Sequence, residues 1–166
     1  DQLQNKIIAK VDRYEAAEIF MSPAPKENIN PLRSQQKLTD EEADIALRNP
    51  IVDDICVVGN AAWRSDGDAS FSLWPVIKML RDEIYLRHGF NKKIRVGLAG
   101  GFGSPQTIAT AFFLGADFIV TGSINQCTVE ASTSDIAKDM LQEAGIKDFC
   151  YAPFYDMFEM GEKAQV

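Results

Sequence analysis

Cysteine is scarce in this chain, and the three present, Cys56, Cys127 and Cys150, are odd in number and far apart. That spacing excludes a disulfide framework and a zinc-ligand pattern, so reduced thiols are expected, each buried in the core. Positive charge is also short. The net charge is −7 and no basic stripe is present, which excludes nonspecific nucleic-acid binding by phosphate neutralisation. No apolar run approaches the ~20 residues that span a bilayer, and Asp1-Gln2-Leu3-Gln4-Asn5 does not read as a signal peptide. A cytoplasmic protein is the expectation. Histidine is reduced to His88, in Arg87-His88-Gly89 at a helix end, where contact with terminal carbonyls is expected rather than catalysis.

What is present is an ordinary globular composition, 46% hydrophobic and 25% charged, on 166 residues, enough for one domain with a real core. Strand and helix signals alternate. Lys6 to Val11 reads as a strand and Asp12 to Phe20 as the helix after it. Ser22-Pro23-Ala24-Pro25 is a turn or extended connection. Thr39 with Glu42 forms a capping box for a helix that buries Ala43, Ala46 and Leu47 and stops before Pro50. Ile55 to Val58 is a buried strand, and the stretch from Gly59 to Ser70 an irregular loop. Pro75 opens the longest helix, with Val76, Ile77, Leu80 and Ile84 on one face and Gly89 as its stop. Ser132 or Thr133 caps a further helix carrying Ile136, Met140, Leu141 and Ala144, and the aromatic segment after it shows no clear period.

The stretch from Ile94 to Ser123 carries the most information. Ile94 to Leu98 is a strand that runs out at Gly100-Gly101-Phe102-Gly103. Ser104 and Pro105 open a helix, with Ile108, Ala111, Phe112 and Gly115 at helical spacing. Phe118 to Val120 is the next strand, ending in Thr121-Gly122-Ser123. Two such turns side by side can present main-chain N–H groups to a phosphate, as the loops after the last two strands of (β/α)8 barrels commonly do. Glycine turns also occur after strands for steric reasons alone, and these residues by themselves leave both readings open. Alternating elements predict a parallel α/β sheet, yet four strands cannot close an eight-stranded barrel. The chain is then either a small open sheet or half of a barrel.

Leu98-Ala99-Gly100-Gly101-Phe102-Gly103-Ser104-Pro105-Gln106, Val120-Thr121-Gly122-Ser123-Ile124-Asn125-Gln126 and Asp156-Met157-Phe158-Glu159-Met160-Gly161 resemble the trans-acting FMN-dependent enoyl reductases of polyunsaturated fatty acid and polyketide synthases, relatives of nitronate monooxygenases. Ile8-Ala9-Lys10-Val11 and Phe20-Met21-Ser22-Pro23-Ala24-Pro25 are similar to the same family, so the likeness runs nearly end to end. The resemblance implies a (β/α)8 TIM barrel of which residues 1–166 form about the C-terminal half, strands 5–8, with 149–166 as an extension packed on it. It implies FMN held at its phosphate by Gly100, Gly101, Gly122 and Ser123, with Lys10 near the flavin ring or serving as an ordinary surface lysine. It also implies NADPH or NADH as reductant and an acyl carrier protein-bound enoyl substrate. The missing barrel half would come from the same or another chain, and exposed edges predict association, including a homo-oligomer.

One departure bears on catalysis. Where the family carries Gly-Gly-His-Thr-Asp, this chain has Ala62-Trp63-Arg64-Ser65-Asp66. Arg64 stands at the histidine position and only Asp66 matches. Arginine stays protonated and cannot act as general acid or base, though it suits a carbonyl oxygen or a phosphopantetheine phosphate. The resemblance thus implies either an enoyl-thioester reductase or a catalytically altered flavin-binding or assembly subunit of a synthase.

Overall fold

The structure, a computed structural model, describes residues 6–58, 70–145, 147–148, 150–153, 159, 161 and 163–165. Residues 59–69, with Arg64 and Asp66, which the sequence reading takes as an irregular loop, and the motif residues 156–158 and 160 lie outside the described set.

Four parallel strands, β1 (Ile8–Val11), β2 (Asp54–Val58), β3 (Arg95–Ala99) and β4 (Ile119–Val120), form one sheet in the order β1-β2-β3-β4. Spatial order follows chain order. Because parallel crossovers are right-handed, a sheet wound in one direction carries its connecting helices on one face. The core agrees: Ala9, Val11, Ile55, Val57, Val96 and Leu98 pack in one buried cluster with helix residues Met21, Ile77, Leu80, Ile84 and Ala111. Alternate residues face the other way, and there Lys10, Cys56 and Gly97 align across neighbouring strands.

The helices are α1 (Tyr14–Met21), α2 (Lys26–Ser34), α3 (Asp40–Arg48), α4 (Ser70–His88), α5 (Pro105–Phe113), α6 (Ser123–Gln126) and α7 (Asp135–Glu143). The proline-rich connection is extended as expected, with Pro23 bridged to Pro50. Thr39 and Glu42 form the expected capping box, with Glu42 Oε2 accepting from the Thr39 N–H and hydroxyl at 2.8 Å each. Only Ala43 of that helix is fully buried, while Ala46 and Leu47 are half-buried.

Several elements differ from the sequence reading. Helix α2 has no counterpart in it, because Pro31 lies inside the helix and Ile29 is its only buried residue, which leaves no apolar period to read. Helix α4 begins at Ser70, upstream of Pro75. Tertiary contacts support that extra turn: Phe71 meets Phe102 edge-on at 5.9 Å, and buried Trp74 donates Nε1–H to the Val96 carbonyl at 3.4 Å. Val76 faces outward at 45% exposure, and its expected place on the buried face is taken by Trp74 and Arg81. Phe112 likewise faces out. Ser134 caps α7, accepting the Ala137 N–H, and Ile136 and Met140 are exposed because no described layer of this chain lies over that face. The terminal segment contains an antiparallel pair, β5 (Tyr151–Pro153) with β6 (Lys163–Gln165), too short for a periodic signal. Strands β1 and β4 are shorter than expected.

At the amino ends of the strands, Asp53 accepts a hydrogen bond from Lys92 and from the Ile7 N–H, the latter at 3.1 Å. The Lys92 ammonium, with the Ile7 amide, holds its carboxyl below the usual aspartate range. A depressed folded-state pKa contributes stability that is full above the unfolded value, about 3.9, and is lost as pH falls through the folded value. Asp53→Asn is therefore expected to flatten the loss of stability below about pH 4, read from urea midpoints across the acid range. An unchanged acid limb would contradict this.

Candidate functional site

The candidate site is built at the carboxyl ends of β3 and β4, where Ala99 pairs with Val120 and the two following turns leave the sheet side by side. After β3 the chain turns through Gly100 (φ +114°) and Gly101 (φ +71°), a region that side chains beyond glycine rarely adopt. Phe102 then inserts into the core, 5% exposed, and anchors the turn from below. Ser104 caps α5, its Oγ accepting the Thr107 N–H, with Pro105 in the first turn as the sequence predicts.

After β4, Gly122 leads into the short helix α6. A Cβ on Gly122 would meet nothing within 4 Å, so the chain's own packing does not demand glycine there. The space is left on the outside of the turn. Among the described residues, no backbone carbonyl accepts from the N–H groups of Gly101, Gly122 or Ser123. Two adjacent turns thus present exposed peptide donors at one edge of the sheet, an arrangement suited to an anion.

Gly100 and Gly101 follow Ala99, and Gly122 and Ser123 follow Val120 and Thr121, so both turns leave from paired strand ends. Lys10 lies on β1, one residue before that strand's end, exposed and on the face away from the helices. Two strand spacings, roughly 10 Å, separate β1 from β3. Arg64 and Asp66 lie outside the described residues; in sequence they fall between the end of β2 and the start of α4. His88 stacks on Phe90 at 5.2 Å where α4 ends, on the amino-end side of the strands, opposite the glycine turns. It has no place in the site. A cleft of about 500 Å³ also lies at the amino ends of the strands, lined by Ile7, Ile45, Val52 and Ile94 with Lys92 and Lys93. Among the described residues no group of three or more His, Cys, Asp or Glu is placed to hold a metal, and no helix is long and apolar enough to cross a membrane.

Two supporting groups were given no role by the sequence reading. Asn125 bonds back to Thr121, its Nδ2 donating to the Thr121 carbonyl at 3.1 Å and its Oδ1 accepting the Thr121 hydroxyl at 3.0 Å. The i, i+4 spacing across Gly122-Ser123 was the available signal. Toward the amino ends of β3 and β4, Asp117 Oδ2 accepts the Val96 N–H at 2.7 Å and an Arg81 N–H at 3.3 Å. No local pattern marks that contact.

The cysteines divide. Cys56 is fully buried beside Lys10 in the strand register, and burial pushes its thiol up to about 11. Cys127 is half-buried and Cys150 exposed, against the expectation of three buried thiols, because neither belongs to the sheet core. With a thiol reagent at pH 8, Cys150 is expected to react first and Cys127 next, and Cys56 only on unfolding. Modification of Cys56 at the rate of Cys150 in the folded protein would refute this.

The comparisons with known proteins bear on what this site serves. No protein-family model matches the chain. The polyketide biosynthesis protein PksE of Bacillus subtilis is 51% identical over 162 residues, covering 98% of this chain and 21% of that protein. A polyunsaturated fatty acid synthase component of Thraustochytrium is 40% identical over 167 residues, 99% of this chain and 8% of its own length. The crystal structure of the enoyl reductase domain of MlnA, from the macrolactin biosynthesis cluster of Bacillus amyloliquefaciens, superposes with a TM-score of 0.89 at 45% identity, over 98% of this chain and 36% of that one. Over nearly its whole length the chain is similar to polyketide and polyunsaturated fatty acid biosynthesis proteins and to one solved enoyl reductase domain. It spans about a fifth or less of those curated relatives and about a third of the solved enoyl reductase chain. Of the candidate residues, the two glycine turns and Lys10 lie among the described residues.

Proposed function

We propose that this chain is part of a flavin-dependent enoyl-thioester reductase acting on carrier-bound acyl chains in polyketide or polyunsaturated fatty acid biosynthesis. The observation that carries the reading is the 0.89 TM-score, at 45% identity, with an enoyl reductase domain. Residues 1–166 are read as about the C-terminal half, strands 5–8, of a (β/α)8 barrel, with 149–166 packed on it. Sequential strand order supports a barrel, since doubly wound sheets reverse order at a switch point. The remaining strands come from the same polypeptide or another chain, and pairing with a second copy is the alternative that solution mass tests. The cytoplasm is the proposed compartment.

The exposed N–H groups and the open space at Gly122 fit the phosphate of FMN. When bound, the flavin supplies the redox chemistry, with NADPH or NADH as reductant. Gly100, Gly101, Gly122 and Ser123 would hold the phosphate through peptide donors and the serine hydroxyl, and Lys10, on β1, would approach the flavin ring. Arg64, permanently charged, would polarise the thioester carbonyl or bind a phosphopantetheine phosphate, with Asp66 two residues on. Protonation of the substrate then falls to water or another group, because arginine cannot deliver a proton.

The Ala62-Trp63-Arg64 departure favours a second reading, a catalytically altered flavin-binding or assembly subunit. Two measurements on the full polypeptide separate these. A bound-flavin absorption spectrum is expected after purification, and NADPH or NADH oxidation is expected on adding a crotonyl thioester. Flavin without turnover selects the second reading, and absence of flavin overturns both as flavoproteins.

A further inference from the structure

We infer that Asn125 is a positioning residue for anion binding: its carboxamide closes the turn after β4 so that peptide N–H groups, and not carbonyl oxygens, face the ligand. This rests on the phosphate reading of the preceding section. Three hydrogen bonds join Asn125 to the turn. Its Nδ2 donates to the Thr121 carbonyl at 3.1 Å, its Oδ1 accepts the Thr121 hydroxyl at 3.0 Å, and its own N–H donates to the Gly122 carbonyl at 2.9 Å.

Both carbonyls that precede the exposed donors are therefore engaged by one residue. A peptide oxygen turned toward a phosphate would repel it, whereas the N–H groups of Gly122 and Ser123 attract it. The amide orientation follows from the partners, since only the NH₂ end can serve a carbonyl and only the oxygen can accept the remaining hydroxyl. The requirement is for a neutral side chain with both functions. Aspartate would keep the hydroxyl contact, lose the donor to Thr121 and add negative charge beside an anion.

Asn125 is exposed, so its contribution to global stability is small, which lets ligand positioning be separated from folding. Asn125→Ala in the full polypeptide is expected to weaken FMN about tenfold, the equivalent of one hydrogen bond. Riboflavin, which has the same ring and ribityl chain without the phosphate, is expected to bind the variant as it binds the parent. Asn125→Asp is expected to weaken FMN further than Asn125→Ala, again sparing riboflavin. Binding is read by quenching of flavin fluorescence, and folding by thermal melts of both variants. FMN affinity within twofold of the parent for Asn125→Ala overturns the inference. Equal weakening of FMN and riboflavin overturns it too, as does loss of the fold in both variants, since each assigns Asn125 a structural role. If the parent itself binds FMN no better than riboflavin, the phosphate reading fails, and this inference with it.

Discussion

Substituting Gly97 with alanine is expected to cost at least about 3 kcal/mol, toward the upper end for overpacked cores. A Cβ at Gly97 would lie 2.5 Å from the Phe118 ring and 2.6 Å from the Phe118 carbonyl oxygen. The ring could rotate away, but the carbonyl could not. It accepts the Leu98 N–H at 3.1 Å and so belongs to the bonding that joins β3 to the segment entering β4. Moving it separates the two strands whose ends carry the glycine turns. The loss is read from urea unfolding of Gly97→Ala, with Gly97→Ala/Phe118→Ala as the control. That double variant is expected to relieve the ring clash and leave the backbone clash. A Gly97→Ala protein within about 1 kcal/mol of the parent would refute the packing argument.

Asp117→Ala is expected to destabilise by about 3 kcal/mol or more. Arg81 is 2% exposed, and its guanidinium is neutralised by Asp82 at 2.8 Å and by Asp117 at 3.3 Å. Asp82 is itself 57% exposed, so its attraction is screened by water and cannot replace the second partner. Removing Asp117 also leaves the N–H of fully buried Val96 without its acceptor. Asp117→Asn keeps an acceptor for that N–H and loses the charge, so a smaller cost is expected. Adding Arg81→Met to Asp117→Ala is expected to recover part of the loss, because an apolar side chain has no charge to compensate. Strictly additive costs in the double variant would show that the two residues do not act together.

The glycine turns were legible because their signals are local. Gly100 and Gly101 need positive φ, and Ser104-Pro105 marks the helix start within a few residues. The same holds for Thr39 with Glu42, and for Gly89, which ends α4 at φ +65°. Elements carried by distant contacts were not legible. Pro75 looks like a helix start until Phe71 finds Phe102 and Trp74 finds Val96. Helix α2 buries a single side chain, and the exposed apolar residues of α7 follow the same period as a buried face would.

For the candidate site the division is similar. Which residues can turn tightly and expose N–H groups is a property of glycine and serine, independent of context. That Ala99 lies beside Val120, so that two turns become one site, depends on strand pairing across about twenty residues. Local backbone preference acts within a few residues and is written in side-chain type, so the sequence alone determined the glycine turns, the Thr39 and Ser104 caps and the parallel α/β class, while the α7 cap fell at Ser134 and not at Ser132 or Thr133. Registry, burial and charge compensation arise between segments that meet only on folding. The tertiary structure alone therefore decided that Gly97 lies under Phe118, that Asp117 meets Arg81, and that Asn125 closes the turn over Gly122 and Ser123.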